Sequence, residues 1–130
     1  MRQRIKVITF LLIILIISIG AGRAYRPKPV NVDQFERLHT TAYCLDGITA
    51  NGSRVHIGGC ACNPHLGEVA VIYSQDGEYL GTFEVNDTGA TNGLRNGSVI
   101  DIWYPDLDAC TKWMEKTGGV VYVQWVPGVG

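Results

Sequence analysis

The chain has 130 residues, 46% of them hydrophobic and 18% charged, which supplies one apolar core and excludes a disordered chain. Eleven basic residues stand against 12 acidic ones, so no excess positive charge is available to neutralise a nucleic-acid backbone. A neutral, sugar-like substrate fits this balance better.

The first element in chain order is an export segment. Arg2, Arg4 and Lys6 precede an almost unbroken apolar run over residues 7–19. A positive flank followed by an apolar stretch is the layout of a signal peptide. The run is shorter than the roughly 20 apolar residues that cross a bilayer, and Gly22 and Ala24 offer a cleavage site interrupted by Arg23. Residues 1–24 are thus expected to be a signal peptide or an uncleaved membrane anchor; the bland alternative, a buried core helix, sits poorly with a segment apolar on every face. Either export reading makes the rest extracytoplasmic: secreted, wall-associated or anchored. Residues 25–34, with Pro27 and Pro29, read as a linker, and residues 35–130 as one domain, expected to be monomeric.

Export changes the meaning of Cys44, Cys60, Cys62 and Cys110, because disulfides persist outside the cytoplasm. Cys60 and Cys62 are too close in an extended chain to be natural partners. Each is expected to pair with Cys44 or Cys110, in an order the spacing leaves open. A zinc site using the Cys-x-Cys pair with His56 or His65 is the alternative, weakened because paired zinc cysteines usually have two or more residues between them. No metal or other cofactor is expected, and His39, His56 and His65 read as surface or strand residues.

Short strands follow, punctuated by Gly, Asn and Asp: residues 38–44, 68–74, 79–85, 99–103 and 120–126. Gln75, Asp76 and Gly77 join the second and third through an Asp-Gly turn, and Tyr79, Gly81, Phe83 and Val85 alternate on one face. One helix is predicted over residues 106–117, with Asp106 as its cap, Leu107, Cys110 and Met114 on its buried face and Gly118 as its stop. The glycine- and asparagine-rich loop over residues 46–59 is expected to line the barrel mouth, with Asn51, Ser53 and Arg54 able to touch a ligand. The pattern is mainly β, a barrel or sandwich with one packed helix.

Two aspartates stand out. Asp87 ends an apolar strand and is followed by Thr88 and Gly89, where a carboxylate can face a cleft; equally, it can be a turn residue bonding the amides of Thr88 and Gly89. Asp101 lies between Ile100 and Ile102 inside a strand, where burial raises a carboxyl's pKa and keeps its proton. Its bland alternative is the polar side of a half-buried strand.

Taken together, these motifs resemble the three-aspartate (3D) domain family, double-psi β-barrels related to the C-terminal part of membrane-bound lytic transglycosylases. The resemblance rests on Thr41-Ala42-Tyr43, Ile48-Thr49-Ala50-Asn51-Gly52, Ala61-Cys62-Asn63-Pro64 with Leu66-Gly67, Asp87-Thr88-Gly89, and Val99-Ile100-Asp101-Ile102-Trp103. It implies a six-stranded double-psi barrel that cleaves peptidoglycan glycan strands without water, leaving a 1,6-anhydro sugar. By the same resemblance Asp101 is the general acid and then base, Asp87 its electrostatic partner, and Thr41, Tyr43, Asn63, Thr88 and Gly89 contact substrate; Arg95 is expected to touch a glycan strand from the edge of the barrel mouth opposite the 46–59 loop. The first of the family's three aspartates is Asn63 here, and the family's basic glycine-rich loop is replaced by residues 90–97.

Two other function classes are compatible with parts of the sequence. A non-catalytic, expansin-like wall-binding module would stack sugars on Trp103, Tyr104, Trp113 and Trp125, although small barrels usually spend such side chains on their cores. A dimeric aspartic protease would use Asp87-Thr88-Gly89 as a half-site, but Asn86 stands where that family has an apolar residue.

Overall fold

The computed structural model describes residues 27–128. The expected signal or anchor, residues 1–24, lies outside the described residues. Among those described, no helix is long and apolar enough to cross a membrane.

Six strands close into a barrel: β1 (Glu36–Tyr43), β2 (Gly59–Ala61), β3 (Val69–Tyr73), β4 (Tyr79–Asp87), β5 (Val99–Trp103) and β6 (Val120–Val126). Their order around the barrel is β1-β5-β2-β4-β3-β6. Two of the six pairings, β1 with β5 and β2 with β4, are parallel; the other four are antiparallel. Closure leaves no free sheet edge to protect. The mainly β architecture follows the sequence.

Alternation of side chains across each strand builds the core. Leu38 on β1, Ala70 and Ile72 on β3, Phe83 and Val85 on β4, Ile100 and Ile102 on β5, and Val121 and Val123 on β6 all point inward and are buried. At about 1.5–3 kcal/mol for each large aliphatic removed from water, this interior is the main stabilising term.

The strand β2 was not predicted, because three residues between turns carry no readable period. Gly59 is required there: a Cβ at that position would stand 2.7 Å from the buried Asn86 amide. The β3–β4 turn forms where Asp-Gly placed it, with Gly77 at φ +83° and its amide bonded to the Ser74 carbonyl at 3.0 Å. The residues before β1 are tied to this turn. Val30 donates to the Gly77 carbonyl at 3.1 Å, and Val32, in a single 3-10 turn over Val32–Gln34, is buried.

Two α-helices accompany the barrel instead of one. The short α1 (Asn92–Asn96) occupies what read as loop, held through buried Leu94 and stopped by Gly97 in the left-handed region. The longer α2 (Leu107–Thr117) is capped by Asp106, whose carboxylate accepts from the Ala109 amide at 2.8 Å, and closed by Gly118 at φ +63°. Its buried face is Cys110, Trp113 and Thr117, not the expected Leu107 face; Leu107 is 73% exposed. Trp113 decides the face: it packs edge-on against Phe83 and its indole donates to buried Thr40 Oγ1 at 2.9 Å.

The expected disulfides are not formed: all four cysteines are free thiols. Cys60 and Cys62 are enclosed in the core, Cys44 is exposed beyond the end of β1, and Cys110 faces the barrel from α2. Burial raises the pKa of Cys60 and pushes that of Cys62 up to about 11, so both stay protonated packing groups.

Candidate active site

Strand register assembles the site. Thr41 on β1 pairs with Asp101 on β5, Asp101 pairs with Ala61 on β2, and Ala61 pairs with Asp87 on β4. These four residues form one row across four adjacent strands. With strands about 4.8 Å apart, the two aspartates stand about 10 Å apart at their Cα atoms, with Ala61 between them in the row.

Two local features aim the carboxylates. Ile100 and Ile102 enter the core, so alternation turns Asp101 to the outer face of the sheet. Asp87 shares the parity of Phe83 and Val85 and, in a regular strand, would point inward. The β2–β4 register shifts between Cys60 and Ala61, from partner Val85 to partner Asp87, leaving Asn86 as an extra residue that is itself buried. This bulge turns Asp87 outward, beside Asp101.

Asp87 accepts three hydrogen bonds. Its Oδ2 receives the Tyr43 hydroxyl at 3.1 Å, and its Oδ1 receives the amides of Ala50 at 3.0 Å and Thr88 at 2.9 Å. The turn reading of Asp87 is therefore half right. The Thr88 amide is bonded to it, but the Gly89 amide goes to Asn63. Burial, then the Asp87 carboxylate, drive the Tyr43 phenol well above its ordinary pKa, so Tyr43 remains a donor.

Asp101 has one side-chain donor, the Thr41 hydroxyl at 2.8 Å from Oδ1. Burial raises its pKa, the Thr41 bond opposes that rise, and the charge of Asp87 adds to it. The row thus joins a carboxylate rich in donors to a carboxyl biased toward holding its proton, the asymmetry that general acid catalysis requires.

The carboxyl groups open into a cleft of about 300 Å³. Tyr43, Ala61, Thr88 and Gly89 share its walls with the apolar side chains of Leu45, Ile48, Val55 and Leu94. Leu45 and Ile48 are 75% and 68% exposed, on a loop fixed by the Ile48–Arg54 bridge, an Arg54–Asp46 pair at 2.7 Å and Asn51 Oδ1 bonds to Thr49 and Ser53. A larger cleft of about 890 Å³, between residues 27–30 and the β3–β4 turn, lies at the opposite end of β4 from Asp87.

The structure sorts the residues that sequence singled out. Asp101, Asp87, Thr41 and Tyr43 come together, with Thr41 and Tyr43 bonded to the carboxylates. Asn63 holds the Gly89 backbone, donating to its carbonyl at 2.9 Å and accepting from its amide at 2.8 Å. Arg95 is exposed on α1 and does not line the cleft; the side chains of Asn51, Ser53 and Arg54 bond within their own loop, and the Asn51 amide donates to the Asn86 carbonyl at 3.1 Å.

The aromatic side chains do not form a platform there. Trp113 is core, Trp125 is stacked on His65 at 3.5 Å between ring centres, and Trp103 donates to the Leu45 carbonyl at 2.9 Å. His65 is also bonded to Glu68 at 2.6 Å, and His56 to the Ile57 carbonyl at 2.9 Å. Among the described residues no group of three or more His, Cys, Asp or Glu side chains is placed to hold a metal ion. Ala61 and Ala50 were missed, since one acts as a small spacer and the other through its backbone amide. Compared with known proteins, the chain matches no family model, no curated protein and no solved structure.

Proposed function

We propose that this protein is an exported lytic transglycosylase that cleaves the glycan strands of peptidoglycan, with Asp101 as its acid and base. The observation that carries the reading is the register-aligned row of Thr41, Asp101, Ala61 and Asp87, in which burial favours the protonated form of Asp101. The proposal includes the finer fold, a double-psi barrel of the three-aspartate type; six strands with two parallel pairs, and the motif order noted above, support it. It also includes delivery by the N-terminal segment to the outer face of the membrane or the wall.

In this mechanism protonated Asp101 gives its proton to the glycosidic oxygen as the C1–O bond breaks. Positive charge develops on the sugar ring, and the Asp87 carboxylate lowers its energy through space. The sugar's own 6-hydroxyl then attacks C1, and the Asp101 carboxylate takes the hydroxyl proton, regenerating the acid. The product is a 1,6-anhydro end, with no water consumed. Thr41 keeps the Asp101 carboxyl oriented, while Tyr43 and the Ala50 and Thr88 amides fix Asp87.

Mass spectrometry of soluble products from purified peptidoglycan, with the full-length protein and its Asp101→Asn variant, tests the reading. Anhydro-muropeptides from the wild type alone are expected. Reducing-end products would replace the mechanism with a hydrolytic one. Retention on the wall without any product would assign the chain to the binding-module class.

A further inference from the structure

The amide of Asn63 makes a two-point contact with the backbone of one residue: Nδ2 donates to the Gly89 carbonyl at 2.9 Å and Oδ1 accepts from the Gly89 amide at 2.8 Å, bridging the two peptide groups that flank Gly89. Only a side chain carrying a donor and an acceptor side by side can do this, and the reversed amide would set N–H against N–H. The contact spans from a second 3-10 turn, over Asn63–His65, to the loop leaving β4, two residues beyond Asp87. No larger residue fits at Gly89, where an added Cβ would meet the Leu94 side chain. The loop's Thr88 amide, one residue away from the contact, is a donor to Asp87 Oδ1 at 2.9 Å.

We propose that Asn63 is a positioning residue for the Asp87–Gly89 loop and that this site requires a neutral amide there, so that a carboxylate at position 63 impairs it. The inference rests on the transglycosylase reading for its kinetic consequence but not for its structural one. An ionised carboxylate has no proton for the Gly89 carbonyl and sets two acceptor oxygens against each other. It also adds negative charge close to Asp87. Protonated, the same carboxyl regains an O–H donor beside an acceptor oxygen and restores the contact.

Asn63→Asp in the full-length protein, compared with wild type from pH 4 to 8, is the test. At pH 7 kcat is expected to fall by about tenfold or more while KM changes less, the size set by one lost hydrogen bond and its unsatisfied partner. The ratio of variant to wild-type kcat should then recover toward pH 4. Activity of the variant equal to or above wild type at pH 7, or a deficit that does not change with pH, overturns the proposal. The activity-independent readout is the 15N–1H signal of Gly89, expected to move in Asn63→Asp at pH 7 and to return on acidification, with the Val121 and Val123 signals unmoved. A wild type that cleaves no peptidoglycan would sink the reaction, whereas an unmoved Gly89 signal would sink the positioning role. Should Asn63→Asp not fold at pH 7, Asn63→Ala is expected to shift Gly89 at every pH; a wild-type Gly89 signal in that variant overturns the proposal equally.

Discussion

Replacing Thr40 by valine tests how the core sets the site. Thr40 is 2% exposed, and its hydroxyl joins three elements: it donates to the Ile100 carbonyl on β5 at 3.0 Å and accepts from the Trp113 indole on α2 at 2.9 Å. Thr40 and Ile100 immediately precede Thr41 and Asp101, so this bond lies beneath the Thr41–Asp101 pair. Valine has the same shape and no hydroxyl, leaving the Trp113 N–H buried without a partner. An unsatisfied buried donor costs about 1–3 kcal/mol, so the expected loss is about 2 kcal/mol. At about 4 °C per kcal/mol for a domain of this size, the melting temperature should fall by about 8 °C. Chemical denaturation of wild type, Thr40→Val and Thr40→Ser, with unchanged m-values, is the assay. Serine keeps the hydroxyl and loses one methyl group, at about 1 kcal/mol. Thr40→Val as stable as Thr40→Ser, or more so, would refute the reasoning.

Further outcomes follow from the site. Under the proposed reaction, Asp101→Asn is expected to lower peptidoglycan cleavage by about 10²–10⁴-fold, the usual range for a general acid. The same variant should be more stable than wild type at neutral pH. Burial raises the folded pKa of Asp101, so the native carboxyl's penalty is absent below the unfolded value of about 3.9, grows as pH rises through the raised folded value, and is full above it. Thermal melts at pH 3 and pH 7 check this, and equal gains at both would contradict it. Thr41→Val removes a bond that favours ionised Asp101, so the alkaline limb of the pH–rate profile should move upward; a downward move would reverse the assigned sign. Gly77→Ala would place a Cβ 2.1 Å from the Val30 carbonyl at φ +83°, and is expected to cost about 1–2 kcal/mol and to speed hydrogen exchange at the Val30 amide.

Much of this architecture is written locally. Apolar alternation around Leu38, Ile72, Ile100 and Val121 marks the strands, because a strand with one face buried repeats every second residue. Asp106 and Gly118 mark the ends of α2 through caps that need only their own neighbours. Elements without a period escape this kind of reading. The strand β2 has three residues, and α1 has five inside a run of Gly and Asn. The buried face of α2 was misplaced because Leu107, Cys110 and Met114 satisfy helical spacing as well as Cys110, Trp113 and Thr117 do. Only the partners across the interface, Thr40 and Phe83, select Trp113.

The candidate site divides in the same way. Sequence alone singled out Asp87 and Asp101, since a carboxylate set in or at the end of an apolar strand is chemically conspicuous wherever the strand goes. It could not say that they converge. Their meeting depends on β2 lying between β4 and β5, with Ala61 in register with both, and such pairings join residues 26 to 40 positions apart in the chain. Nor does alternation along β4 predict the facing of Asp87, which a bulge at Asn86 reverses. Local patterning fixes what each strand buries, because burial of alternate residues is a property of the strand itself. Register and bulges fix which side chains meet, because they arise only when strands remote in sequence pair in the closed barrel.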